Sequence, residues 1–320
     1  MYNNKQILII GGTGTFGQKF VQTISKNKKI KKIIIYSRDE HKQHIMRNKF
    51  PLSIYPNIRF FIGDVRDHER LRIAFNKVDY VIHAAALKHV PIVEYNPFEA
   101  IKTNIIGAQN VINAAWDAKV KKVVALSTDK AVSPFNLYGA TKLCAEKIFI
   151  NSNPIRSKYT TFSVVRYGNV MNSRGSLFEV MQKKIKEGKK FGITDKRMTR
   201  FHINIMDAIN MVNYSIKNFK GGEILIPKIP SFKVLDLVKL YFGNRYFFSG
   251  IRRGEKIHEK LFSESESNIC YENKKFYLLT NENTKHLKKL GFRKLKKLRE
   301  YQSNENYFLS EKELRKEFKL

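Results

Sequence analysis

Four side chains that can move protons lie close together in the middle of this 320-residue sequence. Tyr138 and Lys142 form a Tyr-x-x-x-Lys pair, and an adjacent Asp129-Lys130 precedes them. Residues four apart share one face of a helix, so Lys142 can sit beside the Tyr138 phenol and lower its pKa. A phenol tuned in this way can take a proton from a hydroxyl group.

The position of this pair makes the pattern more specific than its residue types alone. Tyr-x-x-x-Lys often occurs by chance, and an isolated Asp-Lys dipeptide is usually a surface ion pair or a turn. Here the pair follows a strand-like run at residues 121–126 and lies downstream of a glycine-rich turn. The combination indicates an enzyme site.

The glycine-rich turn near the start of the sequence predicts a dinucleotide site. The apolar run Ile7–Ile10 leads into a segment that fits both G-x-G-x-x-G and G-x-x-G-x-x-G. Glycines permit a tight turn close to a pyrophosphate, and the following helix offers N–H groups and a positive dipole end. Predicted cofactor contacts in this turn are Gly11, Thr13, Gly14, Thr15, Phe16 and Gly17.

The end of the second predicted strand distinguishes NAD from NADP. An acidic residue there binds the ribose 2′-hydroxyl of NAD, whereas an arginine favours the 2′-phosphate of NADP. Ser37, Arg38 and Lys42 favour NADP, while Asp39 favours NAD unless it caps the next helix. The predicted cofactor site is completed by Asp64, Val65, Ala84, Ala85 and Ala86, together with Tyr138 and Lys142.

Alternating patterns in the first half of the chain predict the scaffold. Strands are expected at Gln6–Ile10, Lys32–Tyr36, Ile58–Ile62, Tyr80–Ala84, Lys122–Leu126 and Thr161–Arg166. Helices are expected at Phe16–Ser25, His41–Asn48, Glu69–Asn76, about Phe98–Ala118 and from about Tyr138. This order implies an α/β fold, a Rossmann-type doubly wound parallel sheet. Residues 1–168 are expected to bind NADP, and residues 169–320 to form a smaller C-terminal substrate-binding lobe, with some segments returning to the sheet.

Composition argues against several classes of protein. A hydrophobic content of 42% argues against disorder, and the two cysteines, Cys144 and Cys270, give neither a disulfide framework nor zinc-ligand spacing. No histidine has metal-ligand spacing, so no metal is predicted. No apolar run reaches the ~20 residues that cross a bilayer, and no signal peptide is recognised, so a cytoplasmic protein is expected.

The formal net charge of +32 leaves a second interpretation open. Such a charge can indicate a non-enzymatic protein that binds nucleic acid or an anionic membrane surface. No nucleic-acid-binding motif accompanies the lysines, so we expect neither partner. The densest basic run, Lys285–Arg299, has leucines at helical spacing and predicts one or two amphipathic surface helices.

The sequence resembles the extended short-chain dehydrogenase/reductases that act on nucleotide sugars. Among these it looks most like the soluble, C5-inverting UDP-N-acetylglucosamine 4,6-dehydratases that open pseudaminic acid biosynthesis. Segments 36–40, 83–91, 127–142, 166–170, 198–201 and 252–259 carry the resemblance. Retaining relatives usually have methionine in place of Tyr138. Arg253 and His202 depart from the family pattern, which usually has proline and tryptophan there.

The resemblance implies a redox-neutral dehydration with NADP, and a role for each residue. Tyr138 would take the proton of the sugar O4, while Lys142 tunes it and bonds the nicotinamide ribose. Lys130 would abstract the C5 proton as a neutral amine with a lowered pKa. Asp129 would protonate the departing C6 hydroxyl, and Thr128 would bond the sugar or the phenol. Implied substrate contacts are Lys88, Asn169, Thr194, Arg200, Arg252, Glu255 and Asn306.

Other functions stay open at this point. Dehydrogenases and epimerases with this fold need only the Tyr–Lys pair, so Asp129 and Lys130 favour elimination of water. The nearer alternative is a retaining UDP-sugar dehydratase or an epimerase of the same fold. The resemblance alone implies a homo-oligomer built from dimers.

Overall fold

Six apolar strands from the first half of the chain form the parallel part of one large sheet. The computed structural model describes residues 1–155, 159–171, 173, 175–252, 254–281 and 285–318. The strands are β1 Gln6–Ile10, β2 Lys32–Ser37, β3 Ile58–Ile62, β4 Tyr80–His83, β5 Lys122–Thr128 and β6 Thr161–Tyr167. Their order in space is β3-β2-β1-β4-β5-β6, with every neighbour parallel. The predicted Rossmann-type α/β fold is confirmed.

Helices connect these strands, as the βαβ pattern predicts. They are α1 Thr15–Ile24, α2 Glu40–Lys49, α3 His68–Ala74, α4 Val90–Tyr95, α5 Pro97–Ile101, α6 Gly107–Asp117 and α7 Leu137–Asn151. The long helix predicted near residues 98–118 is α5 and α6 joined by a π-helical segment, Lys102–Ile106. Inside that segment, the Asn104 side chain bonds both backbone groups of Leu87 and the Thr141 hydroxyl, at 2.8–3.0 Å. The π-helical segment therefore ties the loop after β4 to helix α7.

The second half of the chain extends the sheet and builds a lobe beside it. Its strands are β7 Asn169–Val170, β8 Phe191–Ile193, β9 Thr199–Ile203, β10 Ile224–Pro227, β11 Ser231–Lys233, β12 Tyr246–Phe248, β13 Lys260–Phe262, β14 Cys270–Glu272, β15 Phe276–Leu279, β16 Arg293–Lys294 and β17 Tyr301–Gln302. Its helices are α8 Leu177–Lys186, α9 Ile205–Asn218, α10 Val234–Phe242, α11 Glu264–Ser267, α12 Lys285–Lys289 and α13 Glu311–Phe318. Strand β10 pairs parallel with β6, and β15, β14 and β16 continue the sheet in antiparallel fashion. The division into two domains stays a prediction.

The basic run at residues 285–299 differs from its helical prediction. Only the five-residue helix α12 forms, and β16 follows it as the edge strand of the sheet. Leu287 and Phe292 are buried, so the leucine spacing that suggested a helix reflects packing against the sheet end. Exposed Arg293 and Lys294 of β16 keep this edge charged, which discourages pairing with another strand. Within the described ranges, no helix is both long and apolar enough to span a bilayer.

Candidate active site

A cavity of about 210 Å³ opens where strands β1 to β4 end. Ligands of open α/β sheets bind at the carboxyl ends of the strands, so this is the expected place for a dinucleotide. Among the predicted cofactor residues, those that line the cavity are Gly11, Thr13, Gly14, Ser37, Arg38, Lys42, Asp64, Val65, Ala84, Ala85 and Ala86. Thr103 also lines it, and its buried hydroxyl has no hydrogen-bond partner among the described residues. Sequence reasoning missed Thr103, because it enters from the π-helical segment.

The glycine turn brings backbone close to this cavity. Gly11 has φ +78°, and a Cβ there would lie 2.8 Å from the Ala85 nitrogen. A Cβ on Gly17 would lie 2.5 Å from the Gly12 Cα, so only glycine lets helix α1 pack this tightly on the turn. Thr15, Phe16 and Gly17 form the first turn of α1 and are not among the residues that line the cavity. The turn therefore has the shape of a pyrophosphate cradle.

The residues at and after the end of β2 line the cavity, and one of them also caps helix α2. The Asp39 carboxylate accepts the Lys42 backbone N–H at 2.9 Å and caps helix α2, while its other oxygen pairs with the Lys42 ammonium. Arg38 is half exposed beside the cavity, with Nη1 3.7 Å from an Asp64 oxygen. The buried Ser37 is held by Gln43, whose Nε2 donates to the Ser37 hydroxyl at 3.1 Å. The acidic residue caps helix α2 and also lines the cavity, as the arginine does.

A short turn and a helix start bring the proton-handling residues together at the carboxyl end of β5, the strand that pairs with β4. Strand β5 ends at Thr128, a 3₁₀ turn spans Asp129–Ala131, and α7 begins one residue before Tyr138. Asn136 caps α7 by accepting the Gly139 N–H at 2.8 Å. A Cβ on Gly139 would collide with the Lys130 carbonyl oxygen, so glycine here lets the helix start lie against the turn. Tyr138 and Lys130 are thereby neighbours.

Lys130 lies between two buried carboxylates. Its Nζ is 3.1 Å from Asp129 Oδ1 and 3.2 Å from Glu259 Oε1. The Thr128 hydroxyl donates to the same Asp129 oxygen at 2.9 Å. Sequence reasoning gave no role to Glu259, which comes from the second half of the chain just before β13. Glu259 is the last residue of the motif Arg-x-Gly-Glu-Lys-Ile-His-Glu, four positions after Glu255. A second carboxylate within this motif is the sequence feature that could have identified it.

The pKa values in this cluster differ from the prediction at Lys130. Burial lowers the pKa of the Lys130 ammonium, but attraction to Asp129 and Glu259 outweighs burial and raises it above the ordinary value. The expected neutral amine with a lowered pKa is therefore wrong for the protein by itself. Burial raises the pKa of Asp129, with Glu259 adding to the rise and Lys130 opposing it. Asp129 is thus disposed to hold a proton.

Tyr138 and Lys142 share a helix face, but the structure differs from the predicted pKa effect. Burial raises the pKa of Tyr138 to about 12, and Lys130 is the cation that acts most strongly against this rise. The Lys142 Nζ donates to the Leu126 carbonyl at 2.8 Å, and burial lowers the pKa of this ammonium to about 8. Lys142 therefore anchors α7 to β5, and Lys130 is the charge that tunes the phenol.

Several predicted substrate contacts have protein partners of their own. Arg200 is buried, donates to the Thr199 and Ile257 carbonyls at 2.8 and 2.9 Å, and lies 3.8 Å from both Glu255 and Glu259. The Thr194 hydroxyl contacts the Met198 sulfur at 2.9 Å. The Asn306 amide donates to the Ile229 carbonyl at 2.7 Å and to the Ser231 hydroxyl at 2.9 Å. These three side chains are held in place by the lobe itself.

The remaining substrate candidates lie at the surface or at its edge. Lys88 and Arg252 are exposed, Glu255 is half-buried, and Asn169 begins strand β7. The family departure at Arg253 lies outside the described residues. The other departure, His202, is buried, hydrogen-bonds Glu317 at 3.1 Å and packs against the ring of Phe318. It is therefore part of the packed interior of the lobe.

Comparison with known proteins places the chain in a family. The profile of the polysaccharide biosynthesis protein family matches residues 7–281. The chain belongs to this family. A UDP-N-acetylglucosamine 4,6-dehydratase (inverting) from Campylobacter jejuni is 53% identical over 283 residues, 88% of this chain and 84% of that protein. A UDP-glucose 4-epimerase from Rickettsia canadensis is 45% identical over 276 residues, 83% of this chain and 80% of that one.

A solved structure shares the fold of this chain over almost its whole length. The structure of Pen from Bacillus thuringiensis superimposes with a TM-score of 0.91 at 37% identity, covering 99% of this chain and 97% of its own. The prediction of membership in the 4,6-dehydratase family is confirmed, as is the prediction of an enzyme of the hydro-lyase class. The non-enzymatic interpretation of the +32 charge is therefore wrong.

Proposed function

We propose that this protein dehydrates UDP-N-acetylglucosamine with NADP and inverts C5, giving UDP-2-acetamido-2,6-dideoxy-β-L-arabino-hexos-4-ulose as the first step of pseudaminic acid biosynthesis. The observation that carries the proposal is the buried cluster of Asp129 and Lys130 beside Tyr138. A simple oxidoreductase needs one base, whereas elimination of water needs a second base and an acid. The similarity to the Campylobacter jejuni enzyme supports the same substrate.

Three side chains divide the proton transfers of this reaction. Tyr138 takes the proton of the sugar O4 as C4 is oxidised, with Lys130 lowering the cost of the phenolate. The resulting C4 ketone acidifies the C5 proton, which Lys130 removes. Asp129, whose pKa is raised by burial, delivers its proton to the departing C6 hydroxyl. A proton that comes from solvent, and not from Lys130, then adds to C5 on the opposite face of the ring and gives the inverted product, while the O4 proton stays on Tyr138 until it is released to solvent.

The cavity fits NADP on three observations. The glycine cradle leaves no room for side chains, and Thr103 presents a buried hydroxyl without a partner among the described residues. Arg38 lines the cavity beside Asp39, whose carboxylate is already bonded to the Lys42 backbone and ammonium. Arg38 and Ser37 would hold the 2′-phosphate, Asp64 the adenine, and Lys142 the nicotinamide ribose. When bound, the nicotinamide supplies a reversible acceptor for the hydride of C4, which it later returns to C6.

The lobe supplies the groups for the UDP part of the substrate. Arg252 is an exposed guanidinium, and guanidinium groups bind phosphate oxygens in bidentate fashion. Glu255 is held beside it, since its N–H donates to the Arg252 carbonyl at 3.1 Å. We assign Arg252 to the diphosphate and Glu255 to the uridine ribose. Lys88, Asn169, Thr194, Arg200 and Asn306 complete the proposed substrate site.

The proposal is tested by incubating the protein with UDP-N-acetylglucosamine in D₂O and following the sugar by NMR. Loss of the C6 hydroxyl, deuterium at C5 and an L-arabino configuration are expected. A product with the D-configuration at C5 would make the enzyme a retaining dehydratase. A C4 epimer that keeps its oxygen at C6 would favour the second candidate, an epimerase. This candidate is suggested by the similarity to the Rickettsia canadensis protein.

The assembly and location of the enzyme are also part of the proposal. Helices α4 and α5 expose Ile92, Tyr95 and Phe98, which suits burial against a second copy. We propose a cytoplasmic homo-oligomer whose product is used for sugars of the flagellin-glycosylation type, with no nucleic acid or membrane as partner. Light scattering that returns a particle of 37.4 kDa would contradict the oligomer.

A further inference from the structure

We propose that Glu259 is the internal proton acceptor that turns Lys130 into a base, so that Lys130 works as the middle member of an Asp129–Lys130–Glu259 relay. This inference rests on the proposed function and assigns Glu259 the role of a positioning residue. The difficulty that it resolves is chemical. Lys130 must be a neutral amine to remove a proton from C5, yet the structure holds it as an ammonium between the carboxyl groups of Asp129 and Glu259.

The geometry offers Lys130 two acceptors, and only one is available. Asp129 Oδ1 and Glu259 Oε1 lie 3.1 and 3.2 Å from its Nζ. Asp129 already carries, in the resting state, the proton that the departing hydroxyl needs, so it has no place for the proton of Lys130. Glu259 is left as the acceptor. Its second oxygen, Oε2, is buried and has no partner among the described residues, as is true of Asp129 Oδ2, so each of the two carboxyl groups has an oxygen that can carry one proton.

Glu259 is held by the protein backbone in the position that the relay requires. Its N–H donates to the Ser303 hydroxyl at 3.0 Å, and the Ser303 N–H donates to the Glu259 carbonyl at 2.9 Å. Ser303 is fully buried, and its hydroxyl also lies 2.7 Å from the Thr199 hydroxyl. Glu259 therefore sits on a fixed support made of Thr199 at the start of β9 and Ser303 directly after β17.

The charges around Glu259 keep the resting state ready. Lys130 faces it from the 3₁₀ turn, Arg200 from β9 at 3.8 Å, and Lys256 from its own loop. These cations lower the pKa of the buried Glu259 carboxyl, while burial and the charge of Glu259 raise that of Asp129. The one acidic proton shared by the two carboxyl groups therefore resides on Asp129 before the reaction.

The proton count of the relay balances. At rest Asp129 is protonated, Lys130 is an ammonium and Glu259 is a carboxylate. When substrate excludes water, an N–H bond of Lys130 breaks and an O–H bond forms on Glu259, because a neutral pair costs less than two charges in dry surroundings. Lys130 then takes the C5 proton, and the Asp129 proton leaves with the C6 oxygen as water. Finally the Glu259 proton returns through Lys130 to Asp129, which restores the resting state.

The test is Glu259→Gln, measured beside the parent enzyme. This variant keeps the size and a hydrogen bond but cannot accept the proton. We expect exchange of the C5 proton with D₂O and loss of water to fall by ~100-fold or more, the usual effect of a lost general base. Oxidation at C4, followed by the absorbance of reduced nicotinamide, is expected to continue. The deficit should shrink as pH rises, because hydroxide then replaces Glu259 as the acceptor.

Two further variants separate the relay from a structural effect. Glu259→Asp keeps a carboxyl group but shortens the side chain, so the carboxyl group lies farther from Lys130. This variant should exchange the C5 proton at an intermediate rate. Glu223→Gln is the matched control, since Glu223 is buried in the second half of the chain and accepts only the Lys220 and Gly221 N–H groups among the described contacts. It should match the parent in both steps. Thermal unfolding and NADP binding are recorded for each protein.

The outcomes are distinct. Glu259→Gln that exchanges C5 at the parent rate or faster overturns the relay, as does an equal deficit in Glu259→Gln and Glu259→Asp. If Glu259→Gln does not fold, Glu259→Asp decides: slower C5 exchange with C4 oxidation retained supports the relay, and loss of both steps or of neither overturns it. A parent protein that never dehydrates the sugar overturns the proposed function itself.

Discussion

Replacing Lys130 by methionine should separate the oxidation of C4 from the elimination of water. Methionine has a similar length and no charge, so the 3₁₀ turn and helix α7 should keep their places. Tyr138 still takes the O4 proton, although it loses the cation that eases this step. C5 proton removal has no base left. The variant should therefore accumulate reduced nicotinamide together with a trapped 4-keto sugar.

The structure sets the size of both effects. Loss of a general base usually costs ~100-fold or more, which raises the barrier of C5 proton removal by about 2.7 kcal/mol. Removing one partner of a buried ion pair costs about 3–5 kcal/mol of stability when the remaining charge stays unpaired. Here Asp129 already holds a proton because burial raises its pKa, so only Glu259 loses a counter-charge, and Arg200 remains 3.8 Å from it. The stability loss should therefore lie at the lower end of that range.

The pH dependence of this loss has a definite sign. Without Lys130, the folded pKa values of Asp129 and Glu259 rise above those of the unfolded chain. A carboxyl group whose folded pKa is raised destabilises the protein as pH rises, so the deficit should be smallest in acid and largest at neutral pH. Urea unfolding at several pH values measures it.

The decisive assay for Lys130→Met is rapid mixing with UDP-N-acetylglucosamine in D₂O. Absorbance of the reduced nicotinamide reports C4 oxidation, and NMR reports deuterium at C5. The reasoning is refuted if the variant exchanges its C5 proton at the parent rate, because Lys130 would then not be the base.

Three other variants test separate parts of the site and fold. Tyr138→Phe should stop the reaction at its start, so that no reduced nicotinamide appears on mixing with substrate; its appearance at the parent rate would remove Tyr138 as the first base. Arg38→Ala should weaken binding of NADP far more than that of NAD in calorimetric titrations, since only NADP carries a 2′-phosphate, and equal losses would contradict that role. Arg166→Met should cost about 3–5 kcal/mol in urea unfolding, because it leaves Glu146 and Glu266, 2.6 and 2.9 Å from Arg166 Nη2, as unpaired carboxylates. Arg166 outweighs burial and lowers the pKa of Glu266, so this stabilisation should fade as pH falls below the ordinary value of 4.5, and a deficit that does not change with pH would contradict the assignment.

The parallel half of the sheet could be predicted because burial on both faces leaves a direct mark on the sequence. Strands such as Gln6–Ile10 are almost continuous apolar runs, and the glycine turn after them has one mechanical purpose. The helical prediction for Lys285–Arg299 was wrong because a short amphipathic pattern does not specify what its apolar side packs against. The segment packs against the end of the sheet, and two of its residues, Arg293 and Lys294, pair with β14 as the edge strand.

The candidate site was predictable where its residues are neighbours in sequence. Asp129, Lys130 and Tyr138 lie on one strand–turn–helix unit, so their spacing already places them together. Their charges could not be predicted in the same way. The pKa of Lys130 depends on Glu259, which reaches the site from the other half of the chain. A pattern read along the sequence shows which groups are present but not which distant charge will face them.

The contribution of the second half of the chain is what separates this site from a plain Tyr–Lys oxidoreductase site. Tyr138 and Lys142 come with the sheet and would serve hydride chemistry without help from the lobe. Lys130 paired with Asp129 alone would form a couple of no net charge, in which an ammonium at Lys130 goes with a carboxylate at Asp129. Glu259 adds one negative charge to that couple, which allows a protonated Asp129 and an ammonium at Lys130 to exist side by side. If Glu259 acts as we propose, elimination depends on the hydrogen bonds of Ser303 with Glu259 and Thr199, whereas oxidation does not.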